Sequence, residues 1–270
     1  MDFIEQKEEK SSYKKEIKES KFWLAVTDEI ISNLDSIIEV KNNQLSFESL
    51  SLYSTFRYLV GYSQTSKIKY RNFQDQLLGA ISNQVSDEVE YIIDSSKSWR
   101  NTFFRPIALS KFTQYEVKVI HLVRDGRGFM WSTMKGSNRK MEQGVNPSIP
   151  FAALRATINW LLTNTGAHLF QLFSSGKNYY RLRYEDLVEK PEMIFNQISH
   201  FIDIDLNQQI TLIKEGKEIP IANQITGNRL RKQEKIILKL DSAWKTSLKW
   251  HHKLLFWLID WPYALLYGYK

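Results

Sequence analysis

Arg124, Gly126, Gly128 and Ser132 fall within one stretch, Val117-Lys-Val-Ile-His-Leu-Val-Arg124-Asp-Gly-Arg-Gly-Phe-Met-Trp-Ser132. An apolar run ends in a basic, glycine-containing turn and leads into a helix-like segment. That order of residues sets a cation and backbone amides at the carboxyl edge of a parallel strand, where an anionic group can bind. Arg124 leaves the strand, and its planar fork suits phosphate oxygens. Gly126 and Gly128 permit close backbone approach. Ser132 comes eight residues after Arg124, about two helical turns on, so it can face the same cleft. The competing reading makes Arg124 and Asp125 a structural ion pair.

Two further clusters could meet an anion. In Asp94-Ser-Ser-Lys97, backbone amides, two hydroxyls and an ammonium converge at a strand end. A polar turn in which Asp94 or Ser95 caps a helix fits equally well. Gly227-Asn-Arg-Leu-Arg231, extended by Lys232, reads as a flexible basic loop able to close over a phosphate, or as a tight turn with exposed arginines. No base stands out among the histidines. His121 lies in an apolar strand and reads as a core residue. His168 and His200 sit on helical segments, and His251 and His252 flank the last one.

The elements that must position these residues change character along the chain. Residues 1–20 carry mixed charge and read as a solvated or frayed helix. Residues 21–87 form a helical region, with apolar spacing over Phe22–Ile38, Phe47–Val60 and Phe73–Val85 and no glycine before Gly61. Residues 88–270 read as the nucleotide-binding α/β part. Strands are expected at Val89–Asp94, Val117–Val123 and Tyr179–Tyr184, the second apolar enough to be covered on both faces. Helices are expected at Asn101–Lys111, Phe151–Phe173 and from Pro191 onward. Strands alternating with helices imply a parallel sheet, so the fold class is α/β, a parallel sheet flanked by helices behind a helix-rich first third. No linker divides residues 1–270, which read as a single domain.

Composition bounds the possibilities. At 43% hydrophobic and 13% aromatic the chain can build a sizeable core, and its net charge of +7 favours anionic partners. The absence of cysteine excludes disulfides, a thiol nucleophile and cysteine-ligated metal, and accords with a cytoplasmic location. Leu254–Tyr267 is apolar but short and contains Asp260 and Pro262, so it reads as a buried or surface-docked helix rather than a membrane span. Nucleic-acid binding ranks low, because most aromatics follow buried stripes instead of interleaving with basic residues. Peripheral membrane contact through Trp250, Phe256, Trp257, Trp261 and Tyr263 is the remaining alternative. Ordinary core packing of an amphipathic helix is preferred over it.

Taken in order, the clusters resemble the family of sulfotransferases dependent on PAPS, 3′-phosphoadenosine 5′-phosphosulfate, in its bacterial and carbohydrate-type branch. Val119–Ser132 resembles the motif whose Arg and Ser bind the 3′-phosphate, here Arg124 and Ser132. Ile92–Lys97 resembles the loop after the preceding strand, and Lys97 is then the candidate near the sulfonate. Leu182-Arg-Tyr-Glu-Asp-Leu187 resembles the segment whose Tyr, here Tyr184, lies by the adenine. Gly227, Asn228, Arg229 and Arg231 resemble the C-terminal nucleotide loop, with Trp244…Leu248 after it. The resemblance is strong over residues 89–270. It implies PAPS as cosubstrate, no metal, and an acceptor hydroxyl or amine on a carbohydrate or small molecule. The chain departs from the family at its start. A first strand with a Gly-x-x-Gly-Thr-like or Arg-Ser-Gly-Thr-Thr-like loop for the 5′-phosphosulfate is missing, and Gly61 is followed by Tyr-Ser-Gln. The expectation is a sulfotransferase-like chain truncated at its N-terminus, its sheet lacking the first strand. The alternative is a non-catalytic nucleotide-binding remnant.

Overall fold

The computed structural model describes residues 20–32, 37–85, 89–95, 100–135, 151–174, 176–217, 219–220, 235–236 and 240–270. The chain divides into two compact units, Met1–Val117 with Asn223–Gly227 and Lys118–Ala222 with Asn228–Lys270.

The first unit is helical: α1 (Lys21–Ser32), α2 (Ile37–Glu48), α3 (Leu52–Val60), α4 (Gln64–Asn83) and α5 (Arg105–Phe112). The expected helix over Phe47–Val60 is broken. Ser51 turns extended and caps α3 by accepting from the Ser54 N–H at 3.0 Å. Gly61, at φ 93°, ends α3 in a conformation that a side chain would resist. Ser63 then caps α4, which starts well before the expected Phe73. Phe47 stacks on Tyr62 and Tyr70, with Phe112 edge-on, and this aromatic block is the core of the unit. Beside it Glu48 is buried and accepts from Arg105 at 2.6 Å, Tyr70 at 2.9 Å, Gln44 at 3.1 Å and Gln74 at 3.3 Å. Arg105 also donates to Asp94 at 2.6 Å.

Residues 89–95 form no strand. The β-rich composition is real, but a strand exists only by pairing, and among the described residues nothing pairs with this run. Tyr91, Ile92 and Ile93 are exposed there.

The second unit carries β1 (Val119–Val123), α6 (Gly126–Met134), α7 (Ala152–Phe173), β2 (Tyr179–Arg183), α8 (Tyr184–Glu189), α9 (Pro191–Ile202) and α10 (Asn207–Lys214). A short antiparallel pair, β3 (Ile219–Pro220) and β4 (Lys235–Ile236), was not anticipated by the sequence pattern. The unit ends in α11 (Trp244–Ser247) and α12 (Trp250–Leu266). β1 and β2 pair in parallel, with Val119 opposite Tyr179 and Val123 opposite Arg183. One face of the pair packs on α7 and the end of α12. His121 lies buried there between Tyr179 Oη at 2.6 Å and Asn164 Oδ1 at 2.8 Å. On the other face α9 covers β2, with Tyr180 against Phe201 and Leu182 buried. Ile120 and Leu122 of β1 remain exposed, so the expected two-sided cover is found on one side only. Among the described residues β1 has a strand neighbour along one edge only.

Among the described residues no helix is long and apolar enough to cross a membrane. α12 packs inward through Phe256, Asp260 and Ala264, all fully buried.

Candidate functional site

The parallel register explains why two residues far apart in sequence meet. Val123 lies opposite Arg183, so the next residues, Arg124 and Tyr184, emerge side by side at the carboxyl ends of β1 and β2. The Arg124 guanidinium carbon sits 5.1 Å from the centre of the Tyr184 ring, a cation–π contact. The Arg124 carbonyl accepts from the Trp160 indole N–H at 3.0 Å, which ties the strand end to α7. Two of the expected cofactor-binding residues are thus brought together.

Asp125 then starts α6. Its carboxylate accepts from the Arg127 N–H at 2.9 Å, and its own N–H donates to Glu185 Oε1 at 3.1 Å. Glu185 also accepts from Tyr269 Oη at 2.7 Å. The Glu of the Tyr-Glu-Asp segment therefore links the Arg124 turn to the C-terminal residues. The sequence motif alone assigns Glu185 no such role. The ion pair weighed between Arg124 and Asp125 does not form. Asp125 is paired with Arg127, through Nε at 3.0 Å and Nη2 at 2.8 Å, and Arg127 is held against the rings of Trp244 at 4.5 Å and Trp257 at 5.5 Å. Arg127 is a packing residue, which leaves Arg124 as the arginine of the strand end.

The two glycines are needed, but for a different neighbour than expected. A Cβ at Gly126 would lie 2.1 Å from Phe256 Cε2, and one at Gly128 would lie 3.1 Å from Trp244 Cδ1 and 3.2 Å from Arg124 Nε. The close approach they permit is that of α11 and α12. Gly128 also fixes the face of α6 that meets Arg124. Ser132, one turn further on, lies on that same face, and it is exposed.

One residue of this cluster carried no sequence signal. Arg124 Nη2 donates to Asp241 Oδ2 at 3.0 Å. Partial burial opposes ionisation of Asp241. Hydrogen bonds from Arg124 and from the Ala243 N–H outweigh it and hold the carboxyl below its usual range. An isolated Asp in a loop has no periodicity or motif to mark it. His121, by contrast, behaves as the expected core histidine: burial pulls it down to about 4, against the hydrogen bond to Asn164.

Lys97, Gly227, Asn228, Arg229 and Arg231 lie outside the described residues. Asp94, which precedes the Lys97 turn, is anchored by Arg105 in the first unit. Among the described residues no cluster of His, Asp or Glu is arranged to hold a metal ion. The first unit also has an open groove of about 660 Å³, lined by Asn42, Asn43, Ser46, Tyr53, Ser63 and Ser66 among others, with Glu39 and Lys69 ion-paired at its edge.

A family model described as "Sulfotransferase domain" matches residues 27–249. A solved structure, the sulfotransferase domain from the curacin biosynthetic pathway, is 17% identical. The alignment covers 86% of this chain and 84% of that one, with a TM-score of 0.45. No curated protein matches by sequence.

Proposed function

The chain belongs to the sulfotransferase domain family, and from that membership we propose that it binds PAPS and transfers its sulfonate group to a hydroxyl or amine acceptor. The family match runs through both compact units, which supports treating residues 1–270 as one functional domain. The observation that carries the reading is the placement of Arg124 against Tyr184 at the carboxyl ends of two parallel strands, with Ser132 on the adjoining helix face. A guanidinium beside a hydroxyl suits a phosphate, and a tyrosine ring beside them suits a purine. We assign the 3′-phosphate to Arg124 and Ser132 and the adenine side to Tyr184. Gly227, Asn228, Arg229 and Arg231 are assigned to the nucleotide loop and Lys97 to the sulfonate, on motif resemblance alone.

PAPS supplies the activated sulfonate. In the transfer, the acceptor oxygen or nitrogen bonds to sulfur as the bond from sulfur to the bridging phosphate oxygen breaks. The electron pair of that bond leaves with 3′,5′-ADP, and the acceptor proton goes to a base. His121 is not that base, because it is buried and both its ring nitrogens are held by Tyr179 and Asn164. The chain's role is to orient the nucleotide and balance its charge.

The test is titration calorimetry of 3′,5′-ADP into the folded full chain. We expect binding that Arg124→Ala weakens about 30- to 100-fold, the cost of about 2–3 kcal/mol for losing a charge-assisted contact. A folded sample that does not bind 3′,5′-ADP refutes the reading. The second reading is a nucleotide-binding protein without transfer. Incubation with radiolabelled PAPS and a panel of sugars, phenols and amines separates the two.

A further inference from the structure

The peptide bond that follows Arg124 is held at both of its polar groups. The Arg124 carbonyl accepts from the Trp160 indole N–H at 3.0 Å, and the Asp125 N–H donates to Glu185 Oε1 at 3.1 Å. A peptide unit is planar, so two bonds on its opposite edges fix its orientation. That orientation sets ψ of Arg124 and φ of Asp125, and with them the direction in which the Arg124 side chain leaves the strand. The guanidinium beyond it is partly exposed, against the Tyr184 ring and Asp241. Its aim is therefore set in the backbone behind it.

Glu185 stands where the ladder runs out. β1 and β2 pair as far as Val123 opposite Arg183. Beyond that point both chains enter helices, α6 after Asp125 and α8 from Tyr184. A parallel ladder would offer the next N–H a strand carbonyl; here the Glu185 side chain supplies the acceptor instead. Its other oxygen accepts from Tyr269 Oη at 2.7 Å, and Tyr269 is buried. Burial pushes the Tyr269 phenol up, which keeps it a donor. Trp160 is buried too, edge-on to Phe256 and Tyr267. Both sides of the clamp are thus anchored in packed structure. The Arg127 N–H is taken by the Asp125 carboxylate. The N–H groups of residues 125 and 127 are both committed to protein carboxylates, so the aim of Arg124 carries more of any anion recognition at this strand end.

We propose that Glu185 and Trp160 are positioning residues that aim Arg124 by clamping the Arg124–Asp125 peptide, and that discrimination for a ribose 3′-phosphate depends on them. The inference rests on the nucleotide reading given above. Both residues act through Arg124, and neither has to touch the nucleotide.

Calorimetry of the full chain with 3′,5′-ADP and with 5′-AMP, which lacks the 3′-phosphate, tests it. The parent should prefer 3′,5′-ADP. Glu185→Ala and Trp160→Phe should each lower 3′,5′-ADP affinity about five- to ten-fold and change 5′-AMP affinity less than about two-fold. Glu185→Gln keeps an acceptor for the Asp125 N–H and should stay within about three-fold of the parent for both nucleotides. In an Arg124→Ala background, Glu185→Ala should cause no further loss of 3′,5′-ADP affinity. Melting curves establish that each variant is folded, and Trp160→Phe, which keeps a buried ring, carries the test if Glu185→Ala does not fold. Folded variants that lose both nucleotides equally, or that keep the parent's 3′,5′-ADP affinity, overturn the inference while nucleotide binding stands. A parent that binds 3′,5′-ADP no tighter than 5′-AMP refutes the nucleotide reading itself, and the inference with it.

Discussion

Replacing Asp260 with asparagine should make the protein more stable at pH 8 than at pH 4 relative to the parent chain. Asp260 is fully buried on the inner face of α12, and among the described residues neither carboxylate oxygen has a hydrogen-bond partner. The charged groups on the elements packed against α12 are committed elsewhere. Arg127 of α6 bonds Asp125 and the Lys270 carbonyl, His168 of α7 bonds Tyr267 and Gln171, and Arg155 of α7 is exposed. Burial alone therefore pushes the Asp260 carboxyl from 3.8 up to about 7. A raised folded-state value means that the neutral form stabilises the fold. The contribution is complete below about pH 4, shrinks as pH rises toward 7, and is lost above that. At 1.36 kcal/mol per pH unit between the two values the loss is about 4 kcal/mol. Asparagine cannot ionise, so the stability difference between variant and parent should grow by about that much from pH 4 to pH 8. A constant offset of about 1–3 kcal/mol for the buried amide applies at every pH. The assay is urea unfolding followed by tryptophan fluorescence across that range. The signal reports mainly the second unit, where Trp131, Trp160, Trp244, Trp250, Trp257 and Trp261 lie. A difference that stays flat to within about 1 kcal/mol from pH 4 to pH 8 would refute the reasoning.

Further substitutions probe the Arg124 turn and the two cores. Asp241→Asn removes the carboxylate that holds Arg124, so calorimetry should show 3′,5′-ADP binding about three- to ten-fold tighter; unchanged or weaker binding would show that Asp241 does not compete for the guanidinium. Gly126→Ala sets a Cβ 2.1 Å from Phe256 Cε2, and overpacking α6 against α12 should cost about 1–3 kcal/mol in urea unfolding. Arg105→Met strips Glu48 of its buried counter-ion. Thermal and urea denaturation should report a loss of about 3–5 kcal/mol, and a loss below about 1 kcal/mol would mean that Tyr70, Gln44 and Gln74 satisfy the carboxylate alone.

Much of the second unit could be read from local pattern. The apolar run before Arg124, the long stripe of α7 and the proline that opens α9 are each short-range signals, and each element forms close to its expected bounds. Elements that rest on long-range pairing were less legible. The run at 89–94 has strand composition but no ladder, and Ser49–Ser51 interrupts a helix that apolar spacing would carry through to Val60, because Leu50 donates to the Arg100 carbonyl instead.

The sequence by itself determined the chemical types at the site. It supplied an arginine and a serine two turns apart after a strand, a tyrosine after a second strand, and the glycines between them. Only the tertiary structure decided which groups these residues meet. Parallel register sets Arg124 on Tyr184, Asp241 arrives from a distant loop to hold the same guanidinium, and Arg127, equally basic in the sequence, is spent on Asp125 and three aromatic rings. The physical reason is that residue type and spacing act along the chain, whereas charge pairing and close packing depend on distances that exist only once β1, β2, α6 and α12 have come together.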